Sequence, residues 1–250
     1  MIGVVAGELL KLRTTRTFYG IVLGTLALVL VISLLAGLLG DFERGDTPGR
    51  DLLSIAALAQ TFTLVFGILA VSTEFRHGTI TPSLLVVPSR ARLVSAKLVA
   101  HLGAGLLIGL AAYALCALVV DLALGSRDIE PGFASGEPFE IIVGGAVAAG
   151  LFAALGVGLG ALVRNQVGAI VGALAWTFVV ESLLTAILGS GSVIGRLGLN
   201  GLGAALPGTN FGESTGDLLA PVPAGLVLGA YAAVLLVAGV LVLRRRDVSA

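Results

Sequence analysis

The run FYGIVLGTLALVLVISLLAGLL, Phe18–Leu39, decides the fold. It holds 22 residues without one charge. A helix needs about 20 such residues to cross a hydrocarbon core of about 30 Å. Lys11, Arg13 and Arg16 precede it, as basic residues precede the apolar core of a signal peptide. The run is too long for that core, and no A-x-A-like exit follows it, so it reads as a retained first span.

Working outward, five more stretches have the same character: 52–72, 98–124, 141–163, 167–188 and 224–243. The third is long enough to tilt or to project beyond the bilayer. Composition agrees with six spans. Hydrophobic residues make up 57% of the 250, charged residues only 12%, and the mean hydropathy is +1.06. That charged fraction is about half of what a soluble domain carries, and a water-facing surface of this size could not be covered with it. The expectation is an all-α, polytopic membrane protein forming one transmembrane domain over 1–250.

Charge then orients the spans. With the N-terminus in the cytoplasm, that side holds Lys11, Arg13, Arg16, Arg76, Arg90, Arg92, Lys97, Arg164 and Arg244 to Arg246, eleven of the fifteen basic residues. Arg44, Arg50, Arg127 and Arg196 remain outside, among Asp41, Glu43, Asp46, Asp51, Asp128, Glu130 and Glu137. The excess of Lys and Arg on cytoplasmic loops places both termini inside, in a plasma (inner) membrane.

Some chemistry is excluded. Cys116 is the sole cysteine, so neither an internal disulfide nor a cysteine-based metal site can form. A formal net charge of zero gives no sign of a nucleic-acid partner. Neither Lys11 nor Lys97 follows a glycine, so the chain has no phosphate-binding loop of the Walker type and cannot hydrolyse ATP that way.

Three segments carry more than span length. Ahead of the first span, Ile2, Val5, Leu9 and Leu12 recur at helical spacing while Glu8 and Lys11 mark a polar side. This pattern predicts an amphipathic helix in the inner interface. The cytoplasmic loop 73–92 predicts a short helix between two breaks. Gly78 ends the preceding helix, Thr81 caps with Pro82 at the first helical position, Pro88 stops the segment, and Ser89 caps the next helix. Outside, 189–223 is glycine-rich yet still apolar through Val193, Ile194, Leu197, Leu199 and Leu202, which predicts an interfacial or re-entrant hairpin. Within the fourth span, Gly156, Gly158 and Gly160 predict close helix packing.

These features together resemble the membrane subunits of ABC-2-type transporters. Glu8-Leu-Leu-Lys11-Leu-Arg13-Thr-Thr-Arg16 is similar to that family's interfacial leading helix. Ser72-Thr-Glu-Phe-Arg-His-Gly-Thr79 resembles the motif that ends its second helix and leads into the coupling helix. The segment before the last span, with Leu206-Pro207-Gly208, is similar to its outer re-entrant element. The resemblance implies a permease subunit that binds no cofactor itself, pairs with a second permease subunit, identical or not, and docks on a separate cytoplasmic ATPase that uses ATP and Mg. It also implies outward movement of drugs, lipids or other amphipathic substrates. The coupling surface would comprise Glu74, Phe75, Arg76, His77, Gly78, Thr79, Thr81, Pro82, Leu84 and Leu85, with Glu74 and Arg76 tying the second span to its neighbours and Leu84 and Leu85 anchoring in the partner.

Other motifs and polar residues admit more than one origin. Gly212-Glu-Ser-Thr-Gly216 has the spacing of a hydrolase nucleophile elbow, but His77 and His101 lie a membrane thickness away, so the match is a product of glycine-rich sequence. Glu181 falls within the fifth span, where a carboxylate either contacts a pathway or marks an early helix end. Asp121 lies nearer a span end and reads as headgroup-facing. His77 belongs to the docking surface, with no second metal ligand at suitable spacing. No catalytic or metal-binding residue is expected, and the rival to a permease is an accessory or scaffold subunit that transports nothing itself.

Overall fold

The computed structural model describes the chain except for residues 1, 44, 80, 83, 84, 86, 164, 210–217 and 246–250. The described residues are mostly helical and contain no strand. Helix α1 (Ile2–Thr14) leads into α2 (Arg16–Leu39), and α3 (Gly49–Arg76) passes through a 3₁₀ stretch at Ser54–Ala57. Then come α4 (Arg90–Gly125), α5 (Glu137–Val163) and α6 (Gln166–Leu188), the last with a π-helical turn at Trp176–Glu181. Two short helices, α7 (Val193–Leu197) and α8 (Leu199–Ala205), precede α9 (Pro221–Arg245).

Helices α2, α3, α4, α5, α6 and α9 are each long and apolar enough to cross a membrane. They coincide with the six stretches marked in the sequence and extend past most of them by a few residues. The 36 residues of α4 make a rod of about 54 Å at 1.5 Å per residue, well beyond the hydrocarbon thickness.

Local sequence explains the breaks. Gly78 takes φ +67°, a left-handed conformation that costs glycine little. Its N–H donates to Phe75 O at 3.3 Å, and the Thr79 N–H donates to Glu74 O at 2.9 Å. That paired closure stops α3 where the sequence places its end. Ser89 accepts the Arg92 N–H at 3.3 Å and starts α4. Thr81, Pro82 and Leu85 have helical backbone, in line with the expected short helix, while Leu84 lies outside the described residues.

Helix α5 is the axle of the bundle, packed against α3, α4 and α9. Small residues permit this. A Cβ at Gly156 would strike the Leu64 carbonyl, and one at Gly67 would strike the Ala153 carbonyl, so α3 and α5 meet backbone to backbone. Gly160 faces Ile68 of α3, and Gly158 faces Leu235 of α9. Helices α2 and α6 instead turn Leu23, Leu35, Leu39, Val179 and Ile187 outward. Apolar faces of that extent suit lipid rather than water.

Both termini of the described chain lie at one end of the bundle. Leu12 of α1 packs with Phe66, and Leu243 of α9 packs with Val71 and Val94. That end also holds Lys11, Arg13, Arg16, Arg76, Arg90, Arg92 and Lys97. At the opposite end, Arg127 donates to the carbonyls of Gly37 and Gly40 at 2.9 and 2.8 Å, and Arg50 donates to Gly208 O at 3.0 Å. These two arginines tie loops to helix ends.

Candidate functional site

Two places gather polar groups inside this apolar bundle. The first lies where α3 and α4 enter the 73–92 loop. Lys97, two turns into α4, is only 2% exposed. A buried ammonium is costly unless it is paired. Its Nζ donates to Glu8 Oε2 at 2.9 Å and to Glu74 Oε1 at 2.6 Å. Lys11 Nζ closes the ring, donating to Glu8 Oε1 at 2.8 Å and Glu74 Oε1 at 3.0 Å. Two carboxylates and two ammoniums from α1, α3 and α4 thus form a neutral clamp. Glu74 Oε2 is buried without a hydrogen-bond partner among the described residues.

Burial pushes the Glu8 carboxyl up, but the Lys97 charge and the hydrogen bonds from Lys11 and Lys97 outweigh it and hold the group below its ordinary value. Lys11 mirrors this. Burial pushes it down, and the bonds to Glu8 and Glu74 with their charges carry it above its ordinary value. Both groups are ionised at neutral pH.

One turn beyond Lys97, His101 Nδ1 lies 2.8 Å from Lys97 O. A carbonyl only accepts, so Nδ1 carries the proton. The His101 ring meets Phe66 at 4.6 Å with the planes tilted by 38°, and Phe66 meets Phe18 of α2 at 5.6 Å. A cavity of about 150 Å³ runs between these rings and the clamp.

Here the structure revises the reading of α1. The sequence pattern turns Glu8 and Lys11 toward water and sets Ile2, Val5, Leu9 and Leu12 on the apolar, interfacial side. The structure buries Glu8 with Leu12 and exposes Ile2 and Leu9. The reason is Lys97, which needs counter-charge where α1 crosses it. In the sequence Lys97 registers only as one of the orienting charges. The available signal is a lysine and a histidine at i, i+4 inside the apolar run 93–102, a spacing that puts both on one helix face.

The remaining coupling residues surround the clamp. Phe75 is half-buried and packs toward Val71 and Leu243. Arg76 Nη1 donates to Gln166 Oε1 at 3.3 Å, joining the end of α3 to the start of α6. His77, Gly78, Thr79, Thr81 and Pro82 are exposed, and Leu85 is 80% exposed.

The second place is a partly open groove of about 620 Å³ near the opposite end, bounded by α2, α3, α6 and the α7–α8 pair. Helix α8 forms its floor. Leu202 and Leu206 pack against a core that includes Phe152 and Leu228, and Gln60 Nε2 donates to Gly203 O at 3.0 Å and to the Tyr113 hydroxyl at 3.2 Å.

Glu181 holds this floor in place. It is 1% exposed, and its Oε1 accepts the Asn200 N–H at 2.5 Å, next to the start of α8. The π turn explains how α6 reaches α8, because a widened turn frees backbone acceptors. The Thr177 carbonyl takes up Asn200 Nδ2 at 2.8 Å and Ser182 Oγ at 3.2 Å. The helix does not end early at Glu181, and the carboxylate is not among the groove-lining residues. Asp121, by contrast, is exposed one turn before α4 ends. Gly212 to Gly216 lie outside the described residues.

The fold and these two places define a class, an all-helical chain with six helices long and apolar enough to cross a membrane, a charge clamp at one end and a groove with no charged lining residue among the described residues toward the other. No family model matches the chain, and no curated protein is significantly similar to it.

Proposed function

We propose that this chain is the permease subunit of an ATP-driven exporter of the ABC-2 type, moving drugs, lipids or other amphipathic molecules outward. The observation that carries the reading is the clamp. Glu74 at one root of the 73–92 loop and Lys97 near the other are joined at 2.6 Å and locked to α1. A loop with both roots fixed moves as a lever, carrying α3, α4 and α1 with it. The loop also presents an almost fully exposed Leu85. Neither lysine sits in a Walker loop, and in this reading the force comes from a separate ATPase using ATP and Mg.

In this reading the clamp end, with most of the basic residues and both termini, faces the cytoplasm. Helix α1 lies in the inner interface with Ile2, Leu9 and Leu10 toward lipid. The α7–α8 pair re-enters from outside, because α8 contacts Gln60, about 17 Å along α3 from its first residue. The exposed faces of α2 and α6 meet lipid or a second permease subunit.

The test is affinity purification of the tagged chain from its native membrane, followed by ATP hydrolysis and transport in proteoliposomes. The expected result is a co-purifying ATPase whose activity and transport fall together in the Leu84→Ala, Leu85→Ala double variant, with membrane insertion intact. An associated ATPase that works without any transported substrate would favour an accessory role. Absence of an ATPase partner would overturn the proposal.

A further inference from the structure

One ring nitrogen beside the clamp is unused. His101 is 3% exposed, and its Nδ1 donates to Lys97 O. Nε2 is therefore an acceptor. It has no hydrogen bond among the described residues, yet it is not one of the polar atoms walled off from water. His101 lines the cavity beside the clamp, so Nε2 opens into that cavity and not to bulk solvent. Buried polar atoms are nearly always hydrogen-bonded, and this one calls for a donor that the chain does not supply.

The rest of the cavity points to what carries the donor. Glu8 Oε1 is taken by Lys11, Glu8 Oε2 by Lys97 and Glu74 Oε1 by both. Glu74 Oε2 is walled off. A bare cation would find no open carboxylate oxygen. An anionic group at the mouth fares better. Lys11 Nζ has three N–H groups and gives two to the clamp, and its side chain is half-exposed. Thr15 precedes α2 without capping it, because its hydroxyl donates to Lys11 O. The first N–H groups of α2 are left to favour an anion there, with Arg13 and Arg16 exposed on either side of Thr15 in the chain. Leu12, Phe18, Phe66, Leu69 and Ala70 make the walls apolar. The volume of about 150 Å³ holds about five groups of water size at roughly 30 Å³ each. That is room for the tip of a headgroup.

We infer that this cavity seats the headgroup of a membrane phospholipid whose phosphodiester ends in a hydrogen-bond donor, the amine of phosphatidylethanolamine or the hydroxyls of phosphatidylglycerol. The phosphate rests on Lys11 and the start of α2, the tip donates to His101 Nε2, and the first methylenes lie along Leu69 and Ala70. Phosphatidylcholine has the phosphate without the donor. The lipid is lodged at the clamp, at the end of the bundle away from the groove, and is a structural ligand. The inference needs only that the helices cross a bilayer, so it stands or falls apart from the exporter reading.

The test is a lipid titration of the detergent-solubilised full-length chain, read by native mass spectrometry, with the three phospholipids carrying identical acyl chains. One phosphatidylethanolamine or phosphatidylglycerol should bind with a Kd about tenfold below that of phosphatidylcholine, the worth of one hydrogen bond to a buried acceptor. His101→Phe should abolish the preference, and His101→Gln, which keeps an acceptor, should retain it. Lys11→Gln should weaken all three lipids and leave their ratio intact. Independently of any substitution, phosphatidylethanolamine with a diazirine near the ester of one acyl chain should label 12–18 and 66–73 of the wild-type chain saturably. Equal affinities for the three lipids, a preference that survives in His101→Phe, or saturable label confined to other segments would each overturn the site. Preference for phosphatidylglycerol alone would report net charge and overturn the role of the donor. Glycerophosphoethanolamine and glycerophosphoglycerol, the same headgroups without acyl chains, should fail to compete at about ten times the lipid concentration. Displacement by either would overturn the lipid as the source and assign the cavity to a soluble phosphodiester.

Discussion

Replacing Lys97 by methionine keeps the length of the side chain and removes the charge that joins α1, α3 and α4. Lys97 is buried and bonds Glu8 and Glu74 at 2.9 and 2.6 Å. Without it, the two carboxylates share only Lys11, whose side chain is half exposed, so that solvent screens much of its charge. Stripping one partner from a buried ion pair costs about 3–5 kcal/mol, and the surviving Lys11 contacts bring the expected loss to about 3 kcal/mol. Glu74→Gln removes one carboxylate and leaves Lys97 and Lys11 sharing Glu8, at a cost of about 1–2 kcal/mol. The double variant retains the neutral Glu8–Lys11 pair, so its loss should fall short of the summed single losses by about 1.5 kcal/mol or more. Reversible unfolding of the full-length chain in bicelles, followed by steric trapping, measures all three. A Lys97→Met loss below about 1 kcal/mol, or a cycle additive within about 0.5 kcal/mol, would refute the clamp.

Gly156→Val should destabilise the α3–α5 contact by about 1–3 kcal/mol or more, since its side chain meets the Leu64 carbonyl; the same assay on Gly172→Val, which has open space around it, should show little change. Glu181→Gln keeps an oxygen for the Asn200 N–H and should cost under about 1 kcal/mol, whereas Glu181→Leu leaves that donor unpaired at about 1–3 kcal/mol. Thiol labelling of a Leu202→Cys reporter should rise only in the leucine variant, and equal labelling in both would remove Glu181 from its role. The clamp also sets a pH window. The Glu8 value is depressed, so its contribution is complete above pH 4.5 and lost as pH falls through the folded value. The Lys11 value is raised, so its contribution is complete below pH 10.5 and lost as pH rises through the folded value. Through the clamp, thermal stability should fall below the lower limit and above the upper one, with a smaller acid fall in Glu8→Gln. An acid limb identical to that of the wild type would contradict the assignment.

The clamp and the groove lie toward opposite ends of one packed unit, and α3 links them directly. Glu74 in its last turn belongs to the clamp, while Gln60 and Thr61 in its first half belong to the groove. Between them α3 is pressed onto α5 at Gly67 and Gly156 with no side chain to cushion it. A displacement at the loop root therefore reaches the groove through a helix that has little freedom to bend.

The sequence by itself determined the six long helices, their order and the asymmetry of basic charge, because hydrocarbon imposes length and apolarity on each span independently of its neighbours. It also determined the break at Gly78 and the cap at Ser89, where the chemistry is local to a few consecutive residues. Which face of α1 turns inward depended on tertiary structure. Glu8, Glu74 and Lys97 come from three helices, and only packing shows that Lys97 is buried and must draw two carboxylates to it. Glu181 is a similar case. Its depth in α6 follows from residue counting, but its partner, the Asn200 N–H, is set by how α8 folds back beneath a π turn. Polar groups buried in an apolar bundle find partners across space, and a linear pattern carries no record of which helix will supply them.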